Sequence, residues 1–179
     1  MGDIWSFDAL KEMNMDIFNQ FPIKEIITTS PHCYNTFKNE YTKLKVEVSH
    51  YTQSLSALIK KKKLNYSKEL NKTVTYHDPC HAVRGQGIKS ESRDLLNSLP
   101  NVEFREMAEA DWCCGGAGSY ALTHYDLSQK VLDRKIDNLK KTEADILVTS
   151  CPACMIQLAW GIRKHGLRTR VFHISEMTA

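Results

Sequence analysis

The sequence predicts an α/β layered domain on a mainly parallel sheet, with cysteines gathered at the carboxyl ends of the strands. Three observations carry this. Short β-branched runs alternate with longer amphipathic stretches, the pattern of strands joined by helical crossovers. Each run stops at a turn signal, as at Ser30-Pro31 and Asp78-Pro79. The six cysteines, at positions 33, 80, 113, 114, 151 and 154, fall just after such a run or at the start of the next helix.

The elements follow in order. Residues 4–20 read as an amphipathic helix with Leu10, Met13, Ile17 and Phe18 on its apolar side, ending near Pro22. Glu25 to Thr29 is a short strand, 32–41 a helix, 46–48 extended, and 52–63 helical again. Val74 to Tyr76 is the next strand, followed by a glycine-containing loop, a helix over 89–98 and a strand over 102–104. The longest helix is expected from Ser119 to Lys141, with Leu127, Val131, Ile136 and Leu139 on a common face. A buried strand at 146–149, a helix over 152–164 and a last strand over 170–174 complete the pattern. Met155 and Trp160 read as core. Connections are short, so residues 1–179 are expected to form a single domain.

Composition excludes several classes. A formal charge of +3 in 179 residues is too small to argue for nucleic acid. No apolar run approaches the roughly 20 residues of a membrane span, and no secretory signal is visible. Lys60 to Lys63 read as a solvated helix end, the alternative being a docking patch for an acidic partner. Gly85-Gln-Gly87 lacks the third glycine and strand–helix context of a nucleotide fingerprint. Without an export signal, six cysteines point to metal ligands or redox groups more than to structural disulfides.

The stretch DWCCGGAGSY, Asp111 to Tyr120, is the most unusual. Bridged cysteines need Cα atoms roughly 4.4–6.8 Å apart, whereas neighbours sit at about 3.8 Å. Cys113 and Cys114 are therefore two separate ligands or two inert thiols. Cys151-Pro-Ala-Cys154 at a helix start brings two sulfurs to one site, where helix N–H groups favour thiolates. Cys80 follows another strand. Gly115, Gly116 and Gly118 would let backbone crowd a bulky inorganic group and adopt positive φ; the plainer alternative is a tight turn before the helix at Ser119. His77, His81 and Arg84 flank Cys80 and would offset thiolate charge, as supporting residues rather than ligands. Cys33 is either peripheral to this group or a buried hydrophobe. One echo stands out: Thr28-Thr-Ser-Pro-His-Cys-Tyr34 aligns with Thr149-Ser-Cys-Pro-Ala-Cys-Met155, with Ser30 in place of Cys151. It suggests two related halves, or chance.

The spacing C-x32-CC-x36-CxxC, with Tyr76-His-Asp-Pro-Cys80, Cys113-Cys-Gly-Gly116 and Thr149-Ser-Cys-Pro-x-Cys154, resembles the cysteine-rich CCG domain. That family includes heterodisulfide reductase subunits of the B and D types, and the iron–sulfur subunits of glycolate oxidase and lactate-utilisation systems. The resemblance implies a non-cubane 4Fe-4S cluster held by Cys80, Cys113, Cys114, Cys151 and Cys154, with Cys33 as a further candidate. The adjacent pair would supply the ligand beyond the four a cubane needs. It implies a subunit of an oxidoreductase complex, cytoplasmic or held at a membrane surface through a partner. Such a subunit would work on a disulfide or pass electrons from a 2-hydroxy-acid dehydrogenase toward a quinone-linked acceptor. Electrons would come from a flavoprotein or ferredoxin-like subunit.

Three departures bear on this. Relatives usually carry two such domains, often with an N-terminal ferredoxin-like part. They also have Cys-Pro-His-Cys where this chain has Ser30-Pro-His-Cys33. The chain is thus expected to be one subunit, the second half of a longer two-domain protein, or half of a homodimer. The alternative is a zinc-binding structural or assembly module without redox activity. A metal-free thiol–disulfide oxidoreductase using Cys151 and Cys154 ranks last, since it leaves Cys80, Cys113 and Cys114 idle.

Overall fold

The computed structural model describes residues 2–64 and 69–177. Helix α1 (Ile4–Asn19) is capped by Asp3, whose carboxylate accepts from the Ser6 N–H at 3.2 Å. It leads into β1 (Glu25–Thr28), α2 (Pro31–Glu40), β2 (Glu47–His50) and α3 (Tyr51–Lys60). Next come β3 (Lys72–His77), α4 (Cys80–Gln86), α5 (Ser90–Asn97) and β4 (Val102–Phe104). The short α6 (Tyr120–Thr123) and α7 (Tyr125–Lys140) precede β5 (Ile146–Thr149), α8 (Pro152–Lys164), β6 (Arg170–His173) and α9 (Ile174–Met177).

The fold is mixed α/β and every ladder is parallel. The strands make two sheets rather than the single one the sequence suggests: β1-β2, and β4-β3-β5-β6. Strand β1 leaves Glu25 and Ile27 exposed and pairs only with β2 among the described strands. The His173 ring, at the end of β6, meets the Thr29 carbonyl at 3.0 Å and bridges the two sheets.

Both faces of the larger sheet are covered, and the period of two assigns each strand residue to a face. Val74, Tyr76, Ile146 and Val148 point into a core closed by Leu95 and Leu96 of α5, Ile174 and Met177, with α3 packed behind. Leu147, between Ile146 and Val148, turns the other way, toward Leu132, Ile136 and Leu139 of α7 and Leu158 and Ile162 of α8. Thr75 and His77 share that parity. Strand β5 is therefore buried along its length. Tyr76 locks the sheet to α5: its hydroxyl accepts from Ser92 Oγ and donates to Ser150 Oγ, both at 2.9 Å.

Several sequence expectations are corrected. The segment after Pro79 is helix α4, not a loop. Gly87 closes it in the left-handed conformation (φ 70°), its N–H bonding the Val83 carbonyl at 3.1 Å. The glycine that signals a loop is thus a helix cap. The long helix is split at His124 (φ −131°), and its buried face is Leu132, Ile136 and Leu139. Leu127 lies five residues from Leu132, which at 3.6 residues per turn puts it on a different face, and it is 51% exposed. Helix α1 forms where expected but buries none of its residues. Trp160 is 42% exposed, its indole N–H directed at Gln129 Oε1.

Candidate metal centre

Three strand-to-helix junctions deliver the sulfur atoms. Cys80 is the first residue of α4, directly after Pro79, and Cys151 occupies the N-cap position of α8. Pro152 opens α8 with a ring that needs no hydrogen-bond donor there, and Cys154 follows within the first turn. Cys113 and Cys114 come from the long connection between β4 and α6. The echo seen in sequence is also one of backbone shape. Ser30 (φ −123°, ψ 129°) and Cys151 (φ −132°, ψ 112°) cap their helices in nearly the same extended conformation, each followed by proline.

The sulfurs form one continuous series. Cys80 hydrogen-bonds Cys113, Cys113 also engages Cys114, Cys114 engages Cys154, and Cys154 engages Cys151. Cys80, Cys113, Cys114 and Cys154 line a cavity of about 340 Å³ together with His32, His77, His81, Gly116, Ala117, Gly118 and Ala153, and Cys151 joins them through Cys154. Cys33 is exposed and takes no part, whereas its neighbour His32 does. His32 reaches the Cys151 sulfur at 3.8 Å and its ring lies 3.9 Å from that of His81, which in turn meets Cys80 Sγ at 3.5 Å. The two histidines form the rim.

Within the series, protons are unevenly held. Hydrogen bonds from Cys114 and Cys80, joined by the Gly115 N–H at 3.3 Å, pull the Cys113 thiol far down. Cys80 and Cys114 are pushed up by that same neighbour, Cys114 to about 11. Cys151 is lowered to about 7, chiefly by Cys154, with help from the helix N–H groups of Cys154 and Ala153. Cys154 is driven up by Cys114 and then Cys151. A bound cation would replace the protons these thiols share.

His77, which the sequence marks as a supporting residue beside Cys80, lies among the sulfurs. It is fully buried, and its ring nitrogen lies with Cys114 and Cys154 Sγ in a set whose ligand atoms are all within 4.8 Å of one another. Neither ring nitrogen has a partner of hydrogen-bonding geometry among the described residues, although the Ala110 carbonyl lies alongside. Burial, reinforced by the Lys135 charge, holds the ring neutral, with a pKa lowered to about 3. A neutral, orphaned imidazole among thiols is the form that binds metal. The alternation along β3 is the signal that would have found it: parity with Thr75 turns His77 toward the cysteine side.

Other expected residues take different places. Arg84 Nη2 donates to the Asp111 carbonyl at 3.1 Å, pinning the approach to the double cysteine rather than facing sulfur. Gly115 has φ 85°, and a Cβ there would sit 2.5 Å from the Ser128 carbonyl oxygen of α7. The contact with the helix alone already calls for glycine there. At Gly116 an added Cβ would meet Cys114 Sγ at 3.5 Å.

The donor set fits a soft-metal centre. Five linked thiols and a neutral imidazole suit iron–sulfur chemistry and exceed the four ligands of tetrahedral zinc. Comparison with known proteins agrees. Residues 74–159 match the family model of the CCG cysteine-rich domain. An iron–sulfur protein of Methanococcus maripaludis is 36% identical over 165 residues, 90% of this chain and 33% of its own. A probable glycolate oxidase iron–sulfur subunit of Bacillus subtilis is 31% identical over 183 residues, 94% of this chain and 41% of its own. A subunit of the dihydromethanophenazine:CoB–CoM heterodisulfide reductase of Methanosarcina barkeri is 32% identical, covering 89% of this chain and 42% of its own. This chain spans only about a third to two fifths of the length of these relatives. None of its described helices is long and apolar enough to cross a membrane.

Proposed function

We propose that this chain is an iron–sulfur domain of an oxidoreductase complex, holding its cluster through Cys80, Cys113, Cys114, Cys151 and Cys154. The observation that carries this is the unbroken series of five sulfurs, four of them lining one cavity and Cys151 joined to them through Cys154, one sulfur more than a cubane requires. That surplus supports a non-cubane 4Fe-4S arrangement. When bound, the cluster supplies one-electron chemistry at the cavity. The protein's own part is to hold the five sulfurs together and place His32 and His81 at the mouth. Gly116 keeps room beside Cys114.

The names of the relatives support two directions for those electrons: cleavage of a disulfide, and oxidation of a 2-hydroxy acid with transfer to a quinone-linked acceptor. In either, a flavoprotein or ferredoxin-like subunit provides the donor, and the complex is cytoplasmic or held at a membrane surface by that partner. Residues 1–179 act as one cysteine-rich domain paired with a second, in the same polypeptide or in a second copy. The echo between 28–34 and 149–155 and the greater length of the relatives support the pairing.

The test is anaerobic reconstitution followed by iron and sulfide analysis, visible absorption and EPR. Bound iron and sulfide with a paramagnetic signal on oxidation or reduction support the cluster. A colourless protein holding one zinc would instead favour a structural zinc site, for which His77, Cys114 and Cys154 already lie at ligand spacing.

A further inference from the structure

Lys135 is the buried charge that the fold does not explain. It lies on α7 with no solvent exposure, and burying an ammonium is unfavourable unless something anionic compensates it. Its Nζ donates to the carbonyls of Glu109 and Ala110, the latter at 3.1 Å. Among the described residues it forms no ion pair with a carboxylate. Three acids act on it through space, Asp78, Asp111 and Glu109, none within ion-pair distance, and two of them are engaged elsewhere. Asp78 is bound bidentately by Arg93 at 2.7 and 2.8 Å, and Glu109 is held by Arg134 and Asn138. Its charge is felt by His77 and by Cys114.

Its position within the fold is equally specific. Ala110 O also accepts from the Asp78 N–H at 3.0 Å, so one carbonyl ties Lys135 to the end of β3 and to the segment that leads into Cys113 and Cys114. A neutral side chain of similar reach would satisfy two carbonyls without the penalty of a buried charge. A positive charge is what a centre of several thiolates requires.

Resting on the iron–sulfur reading, we propose that Lys135 is the internal counter-cation of the loaded centre. It sets the reduction potential and holds the 109–111 segment in place behind Cys114. Reduction adds one electron, from a flavin or ferredoxin-type donor, and hence one negative charge to the centre, with no bond made or broken in the protein. A fixed positive charge nearby favours the reduced form, so removing it shifts the potential in the negative direction.

The experiment is a redox titration of reconstituted protein, with dithionite as reductant and EPR as readout, on wild type, Lys135→Gln, Lys135→Met and Lys135→Arg. Glutamine keeps a donor for the carbonyls and removes the charge, whereas arginine keeps the charge. The expected result is a negative shift for Gln and Met equivalent to a tenfold or greater loss of reduced form at fixed potential (~59 mV for one electron), largely restored in Arg. If Met fails to fold, Gln and Arg still decide. Variants that load iron and titrate at the wild-type potential overturn the counter-cation and leave the cluster reading standing. Wild type that binds no iron overturns the cluster reading, and this proposal with it.

Discussion

Gly115 combines two constraints that a single methyl group would violate together. Its φ of 85° is one that residues with a Cβ rarely adopt, and the Cβ itself would lie 2.5 Å from the Ser128 backbone oxygen. Strain at such a position is on the order of 1–3 kcal/mol, and forcing an extra carbon against a packed helix typically costs a further ~1–3 kcal/mol. The Ser128 Oγ to Gly115 O hydrogen bond, 2.8 Å long, would be disturbed as well. The expected destabilisation of Gly115→Ala is therefore about 2–6 kcal/mol, against a typical stability of about 5–15 kcal/mol. For a domain of this size each kcal/mol shifts Tm by roughly 2–4 °C, so the variant should melt on the order of 10 °C lower. Gly118→Ala supplies the comparison, since Gly118 (φ 61°) has nothing within 4 Å of its added Cβ and should lose only the strain. Melting followed by far-UV dichroism on metal-free protein separates the cases, because the clash is with α7 and needs no metal. If Gly115→Ala melted within about 2 °C of wild type in the metal-free state, the helix contact would not be what demands glycine.

Other outcomes are expected. Cys154→Ser should abolish iron loading while Cys33→Ser, at an exposed position outside the cavity, should keep nearly all of it; equal losses in iron analysis would return Cys33 to the ligand set. Arg93→Gln leaves the almost fully buried Asp78 carboxylate without its bidentate partner and should destabilise by about 3–5 kcal/mol, read from urea midpoints; a change under ~1 kcal/mol would show the pair to be dispensable. His50, fully buried, has its pKa lowered to about 4 by burial. Its contribution is present above pH ~6.5, where folded and unfolded forms are both neutral, and is lost as pH falls toward 4 while only the unfolded chain takes up the proton. The size is up to about 3 kcal/mol. His50→Asn, which keeps a cap for α3, should flatten that part of the stability profile, and an unchanged slope would count against it.

Much of this molecule is written in local sequence. The β-branched runs before Ser30-Pro31, Asp78-Pro79 and Ser150-Cys151 mark strands because stiff side chains favour extended backbone and proline ends it. The spacing of Cys80, Cys113-Cys114 and Cys151-x-x-Cys154 marks the centre because thiols seldom cluster at strand ends without a ligand to hold. What sequence could not decide depends on contacts between distant segments. Whether β1 joins the main sheet is settled by pairing, and nothing in residues 25–28 encodes the partner. Leu127 and Leu132 are equally apolar, and only the rotation of α7 against β5 and α8 buries one and exposes the other. His77 reads as a supporting residue beside Cys80 until β3 is placed next to β5, when alternation turns it toward Cys114 and Cys154. Lys135 reads as one more surface lysine in a charged helix. Only tertiary structure puts its ammonium behind the double cysteine, because burial is a property of what covers a residue and not of the residue itself.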